Sequence, residues 1–335
     1  MVRSWVKDRA KPLSFSSSDC RRFSGRRHLH DRGPSETRND LNLIRYDIVM
    51  ETLGFFRARL GESVRWDSVR GWVWWVDITS STLHAWDLGQ RHLHSWRLSS
   101  PASTLAFDES NGVILALRDG FAGFDLSTGL CRSLATIPQA APDDRFNDGA
   151  VDCRGRFWAG TMSAARRPDA ALFCLDANLT ITQHLTGVTV SNGLDWSPDN
   201  RRAYYVDTAT RRIDTFEFCP DAGRLTDRQP FVLFDEAVGK PDGLTVDAEG
   251  CVWVALWGGG AVHRYSPEGR YMSVIPLPVS HPTSVAFGGP SLELLFVTSA
   301  QPPAGWVGQG DALLGGATFV ARPGAVGRAP YRFGR

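Results

Sequence analysis

Six polar residues, Glu62, Ser103, Asn147, Asn192, Asp242 and Thr283, recur along this chain at steps of 41, 44, 45, 50 and 41 residues. Each stands immediately ahead of a mainly apolar segment. If those segments are equivalent elements of one repeat, the six side chains meet at a single level, and two carboxylates and two carboxamides converge. Carboxylates held together in a recess repel and raise one another's pKa unless a positive charge lies between them. Carboxylate and amide oxygens are hard ligands, suited to Ca2+, Mg2+ or Mn2+ and compatible with Zn2+. Few protein ligands leave coordination positions open for water and substrate, as in a catalytic site. The same residue types also favour turns and strand starts, a role that needs no chemistry.

The elements that would position these residues are short apolar runs. Val73-Trp74-Trp75-Val76, Val113-Ile114-Leu115-Ala116, Tyr204-Tyr205-Val206, Val252-Trp253-Val254 and Leu295-Phe296-Val297 are separated by turn clusters such as Asp108-Glu109-Ser110-Asn111-Gly112. Aromatic and β-branched runs of this length, bounded by Gly, Asn and Asp, read as strands. No long amphipathic helix pattern competes, so the class is all-β. An alternating strand, a tight turn and a second apolar strand recur six times, with the polar residue leading each unit. A period of about 40 to 50 residues is that of propeller blades. The fold expected is a six-bladed β-propeller over residues 53–335 with a central metal site, since a propeller closes its sheets around a channel.

Residues 1–52 read differently, as a basic, Ser-rich extension without either strand or helix period, with Met50 as an alternative start. Residues 1–50 hold 11 Lys/Arg against 6 Asp/Glu, leaving 26 against 30 in the remainder. A mildly acidic body gives no electrostatic reason to expect nucleic acid as a partner. Six scattered cysteines with no C-x-x-C pair read as reduced thiols. No apolar run reaches the roughly 18 residues of a spanning helix. The expected setting is soluble and cytoplasmic, with no membrane partner. Nothing in the sequence fixes an oligomeric state.

The blocks Gly61-Glu62-Ser63, Arg145-Phe146-Asn147-Asp148-Gly149, Ala159-Gly160-Thr161-Met162, Ser191-Asn192-Gly193-Leu194-Asp195-Trp196 and Pro241-Asp242-Gly243-Leu244, followed by Trp257-Gly258-Gly259-Gly260, are each short. Their ordered set resembles the gluconolactonase, regucalcin (senescence marker protein) and luciferin-regenerating-enzyme family. The resemblance implies a six-bladed propeller that opens a sugar lactone with one divalent ion. By motif the ion's ligands fall on Glu62, Asn192 and Asp242, and the lactone contacts on Arg145 and Asn147. The chain departs from vertebrate members after its G-T-M block, where Ser163-Ala164-Ala165 stands in place of a substrate-binding carboxylate.

The expected function is a metal-dependent lactonase acting on a small sugar lactone, with Asp242 also serving as general base. Trp257 is placed either to stack on the sugar or to pack a blade, and His281 near the channel mouth. No G-x-S-x-G elbow supports a serine hydrolase. His84, His92 and His94 are expected at the surface. Two other readings share the fold: a phosphotriesterase-like hydrolase and a non-catalytic, calcium-binding regulatory propeller.

Overall fold

A computed structural model describes residues 50–137, 143–303 and 310–334. The basic extension lies outside these residues up to position 49. The strands form six four-stranded antiparallel sheets. The first blade comprises Gly61–Asp67, Trp72–Asp77, Thr82–Asp87 and His92–Arg97 in order from the innermost strand outward. The other innermost strands are Ala102–Phe107, Arg145–Val151, Ser191–Trp196, Lys240–Val246 and Pro282–Gly288. Each packs against the next and the last against the first, closing a six-bladed β-propeller. Glu51–Thr52, at the edge of the expected extension, pairs with Phe319–Ala321 as the outer strand of the sixth blade. The ring is therefore closed by strands from both ends of the described chain.

The apolar pattern follows from the wedge shape of this ring. Inner and second strands are buried on both faces between neighbouring blades, as in Trp72–Asp77. Outermost strands lose that cover; Leu130–Thr136 mixes exposed and half-buried positions with no fully buried one. Among the described residues the core divides into six clusters, one at each blade interface. Tryptophans dominate several of them. Trp158 meets Trp196 across the third and fourth blades at 6.3 Å, and Trp253 meets Phe287 across the fifth and sixth at 5.6 Å. Each such side chain contributes about 1.5–3 kcal/mol by its burial.

Turn chemistry anchors these tryptophans. Asp152 accepts from the Trp158 indole at 2.8 Å, and Asp247 from the Trp253 indole at 2.9 Å. At the channel's far end the C-terminal segment crosses the inner strands. The Arg328 guanidinium donates to Asp195 at 2.8 Å and to the Trp196 carbonyl at 2.7 Å, and the Phe333 N–H donates to the Phe107 carbonyl.

The strand register slips in every blade beside the repeated polar residue. The slips lie between Glu62 and Arg65, Ala102 and Thr104, Phe146 and Gly149, Ser191 and Leu194, Pro241 and Leu244, and Pro282 and Val285. A bulge re-aims side chains that the pleat would otherwise send into a blade interface. The glycines after Asn192 and Asp242 let the inner strands come close at the same height. A Cβ on Gly193 would stand 2.5 Å from the Leu244 nitrogen and 2.7 Å from the Asp242 carbonyl oxygen. Gly193→Ala is therefore expected to destabilise the fold by about 1–3 kcal/mol through overpacking. Urea unfolding checks this: the midpoint should drop at constant slope, and an unchanged midpoint would refute the close-packing account.

Candidate functional site

Four of the six repeated polar residues, Glu62, Asn147, Asn192 and Asp242, line one cleft of about 530 Å³ at the channel mouth. The other two turn into the wall. The Thr283 hydroxyl donates to the Gly61 carbonyl, tying the sixth blade to the first, and Ser103 lies 3.4 Å from an Arg145 nitrogen. Their small hydroxyls satisfy backbone and neighbouring side chains and are fully buried.

Glu62, Asn192 and Asp242 are at most 5% exposed. One oxygen of each, Glu62 Oε2, Asn192 Oδ1 and Asp242 Oδ1, is buried without a hydrogen-bond partner. Leaving a buried acceptor unmet costs about 1–3 kcal/mol, and more for a charged one. The remaining unmet groups among the described residues are tryptophan and histidine ring nitrogens and the Arg212–Asp214 pair, whose atoms lie 2.7 Å apart. Unmet carboxylate and amide oxygens thus gather at one place. Three hard oxygen donors with no proton donor among them fit a divalent cation.

Neighbours hold these donors in place. The Asn192 amide donates to the Thr208 hydroxyl at 2.8 Å, and that hydroxyl donates to the Pro241 carbonyl at 2.8 Å. This relay fixes the carboxamide so that its oxygen faces the cleft. Asn147 is fully engaged by comparison: its amide donates to the Ser191 carbonyl at 2.8 Å and its oxygen accepts from Arg145 at 2.7 Å. The same Arg145 nitrogen also donates to the Phe146 carbonyl. One arm of the guanidinium is therefore anchored to the wall.

The electrostatics point the same way. Burial pushes the Glu62 carboxyl up from 4.5 to about 8, aided by the charge of Asp148. Burial also raises Asp242 well above the usual carboxylate range, with Glu62 and then Asp148 adding to it. Asp148 is a third channel carboxylate that the repeat did not single out, since it follows the repeated position in the bulge. It has a partner in Arg65 at 3.4 Å, which opposes the rise that burial imposes on it. Burial lowers Arg145 to about 10, against the pull of Glu62.

The cleft also holds residues that sequence spacing did not mark: Arg166, Thr208, Arg211 and Lys240. Arg166, Thr208 and Arg211 come from loops and turns, where no period operates, whereas Lys240 opens the innermost strand Lys240–Val246, two residues before Asp242. Trp257 lines the cleft, and buried His281 packs against it edge-on at 4.5 Å. His84 is buried rather than exposed; it lies between Phe56 and Trp75, and burial lowers it to about 4. His92 and His94 meet ring to ring, with His94 stacked on Trp72.

A second acidic group, Asp247, Glu249 and Cys251, brings its ligand-type atoms within 4.8 Å of one another. Arg264 already occupies it, 2.7 Å from Asp247 and 2.5 Å from Glu249. That cluster is an ion-pair network on the fifth blade.

Fold and site together define a six-bladed propeller with two buried carboxylates in a cleft at its channel mouth. The chain matches the SMP-30/Gluconolactonase/LRE-like region over residues 60–301. Regucalcin of Xenopus laevis is 35% identical over 249 residues, which is 72% of this chain and 83% of that protein. YvrE of Bacillus subtilis, which carries a provisional sugar lactone lactonase name, is 34% identical over 246 residues, covering 73% and 84%. The crystal structure of a calcium-binding protein, regucalcin, from Agrobacterium tumefaciens superposes with a TM-score of 0.80. It is 28% identical, over 86% of this chain and 98% of that one. The chain belongs to the SMP-30/gluconolactonase/LRE-like family. Among the described residues no helix is long and apolar enough to cross a membrane.

The raised carboxyls set a pH signature. Between about 4.5 and 8 the folded protein keeps a proton on Glu62 that the unfolded chain releases. Stability of cation-free protein should therefore fall as pH rises through that window. His84 acts in the opposite sense between about 4 and 6.5. Comparison with Glu62→Gln isolates its share: the variant's downward slope should be shallower, with Asp242 supplying what remains, and added Ca2+ or Zn2+ should stabilise wild type most at the alkaline end. Thermal unfolding across this range, with chelator and with cation, checks it; parallel wild-type and variant curves would remove the site from the explanation.

Proposed function

We propose that this protein is a divalent-cation-dependent lactonase that opens a sugar lactone ring. The observation that carries the reading is the group of three unmet buried oxygens of Glu62, Asn192 and Asp242 beside Arg145 in an open cleft. Those three residues would hold the ion, Ca2+, Mg2+, Mn2+ or Zn2+, which when bound supplies Lewis acidity toward a carbonyl.

The remaining work falls to the chain's own groups. Asp242 accepts a proton from the attacking water as its oxygen adds to the lactone carbonyl carbon. When the ring carbon–oxygen bond breaks, the same carboxyl returns that proton to the leaving alkoxide, giving the hydroxy acid. Arg145, with one nitrogen anchored by Asn147 and the Phe146 carbonyl, offers its remaining N–H groups to substrate oxygens in a fixed fork. Asn147 serves the sugar chiefly by aiming Arg145, since its own amide is engaged on both sides. Trp257 gives the cleft an apolar wall against which a sugar face can lie.

Acid release from D-glucono-δ-lactone and L-arabino-γ-lactone, with each cation restored to chelated protein, tests the reading. Turnover should be cation-dependent. Asp242→Asn should lower kcat by about 100-fold or more, while Arg145→Lys should act mainly on KM. If no lactone is opened faster than its spontaneous rate under any cation, the lactonase reading fails and the non-catalytic, calcium-binding reading takes its place.

A further inference from the structure

The cleft is rimmed by more positive charge than its floor requires. Arg145, Arg166, Arg211 and Lys240 line it together with only two carboxylates, Glu62 and Asp242. The ion proposed for the floor would offset both carboxylates and leave the cations above them unbalanced. Arg166 and Lys240 are exposed, and their side chains make no hydrogen bond or ion pair within the described residues. Nearby acids are spoken for: Glu236 lies 3.7 Å from Arg211, Asp169 pairs with Arg167, and Asp144 accepts the Ala164 N–H.

Two details separate this rim from ordinary surface charge. Lys240 is the only lysine in residues 51–335, a stretch that otherwise uses arginine throughout. Arg166 sits on an anchored turn, its N–H bonded to the Ser163 carbonyl, while the Ser163 N–H donates to the Thr189 carbonyl. Its backbone lies in the left-handed region at φ 56°, which is uncommon for a residue with a side chain. Arg166 is also close enough to Arg145 for their charges to repel, which adds to the burial that lowers Arg145. Like charges gathered around a recess are stabilised by an anion that bridges them.

We infer that the substrate is an anionic lactone, carrying a phosphate or carboxylate remote from the ring carbonyl. Arg166, Arg211 and Lys240 hold that group at the mouth while the carbonyl faces Glu62, Asn192 and Asp242. The inference rests on the lactonase reading for its chemistry, but the anion site can be tested separately. The loop that presents Arg166 begins at Ser163-Ala164-Ala165, so the chain offers a cation to the part of the substrate nearest that turn.

Cation-loaded protein is assayed with D-glucono-δ-lactone, its 6-phosphate and a glucarolactone, at low and physiological salt. The 6-phosphate or the glucarolactone should exceed the neutral lactone in kcat/KM by about tenfold or more, with the advantage shrinking as salt rises. Which of the two leads identifies phosphate or carboxylate as the group held. In the double variant Arg166→Ala, Lys240→Ala, the ratio of anionic to neutral kcat/KM should collapse toward one. Calorimetric titration with 6-phosphogluconate, glucarate and gluconate, none of which has a lactone ring to open, gives a readout free of lactone opening. If the neutral lactone is opened as well as the charged ones and the double variant leaves the ratio unchanged, the inference is overturned and the lactonase reading stands. If no lactone is opened but 6-phosphogluconate or glucarate binds through Arg166 and Lys240, the anion site stands and the lactonase reading falls. If neither occurs, both fall.

Discussion

Closure of the ring is the constraint on which the rest of this molecule depends. A four-stranded wedge buries its faces only against its neighbours, so six wedges become stable together. The join is made where Glu51–Thr52 completes the blade begun by Pro282–Gly288. It is reinforced at the channel, where the Thr283 hydroxyl reaches the Gly61 carbonyl and the Ser284 hydroxyl accepts the Val64 N–H. Those bonds flank Glu62. Closure therefore places the one ligand-type residue contributed by the first blade, and the carboxylate pair with Asp242 exists only in the closed ring. The bulges follow from the same geometry. Inner strands that converge leave little width for side chains, and a local slip in register directs a polar group along the channel.

The channel contents then sort themselves by charge. Asp148 has Arg65 at 3.4 Å, and Asp195, deeper still, has Arg328 at 2.8 Å. Glu62 and Asp242 have no salt-bridge partner among the described residues; Arg145 stands over them but spends one nitrogen on Asn147 and the Phe146 carbonyl. Burying a carboxylate without a partner is expensive enough that the group takes up a proton instead. The upward shifts at both residues express that expense. A divalent ion held as proposed by Glu62, Asn192 and Asp242 would offset that expense, since each leaves one buried oxygen without a partner. The lower acids already have their cations in Arg65 and Arg328, so among these channel acids it is Glu62 and Asp242 that keep an unmet oxygen.

How far the sequence foretold this depends on what each residue packs against. The blade repeat was legible because inner and second strands are covered on both faces and therefore apolar throughout, as in Trp72–Asp77. Outer strands such as Leu130–Thr136 carry a diluted pattern because solvent takes one side. The leading polar position was legible in every blade, but its six members do not share one fate. Ser103 and Thr283 are short enough to be absorbed by the wall, whereas the longer Glu62 and the amide and carboxylate groups reach the cleft. Asp148 escaped notice because its role depends on the bulge, which the sequence does not announce. Thr208, Arg166 and Arg211 come from turns, and only the folded ring brings them to the cleft where Lys240, at the start of its inner strand, already stands. His84 was misjudged because a histidine in a strand is polar by composition, and its cover by Phe56 and Trp75 comes from outside that strand.

The far end of the channel bears on the chemistry at the near end. Arg328 to Tyr331 lie across the bases of the inner strands and leave there a space of only about 100 Å³. Access to Glu62 and Asp242 is thus confined to the mouth. A recess open at one end keeps solvent from screening its floor, and this is what lifts both carboxyls so far. On the proposed lactonase reading, the lactone would arrive and the hydroxy acid depart past the same arginines and lysine. A rim that attracts an anionic substrate, as inferred above, would also have to release an anionic product, so its strength would be bounded from above by product departure. Two exposed cations, Arg166 and Lys240, screened by solvent on their outer side, meet that bound better than a buried pair would. The placement of the most buried arginine against the floor and the exposed cations at the edge is the arrangement such a compromise requires.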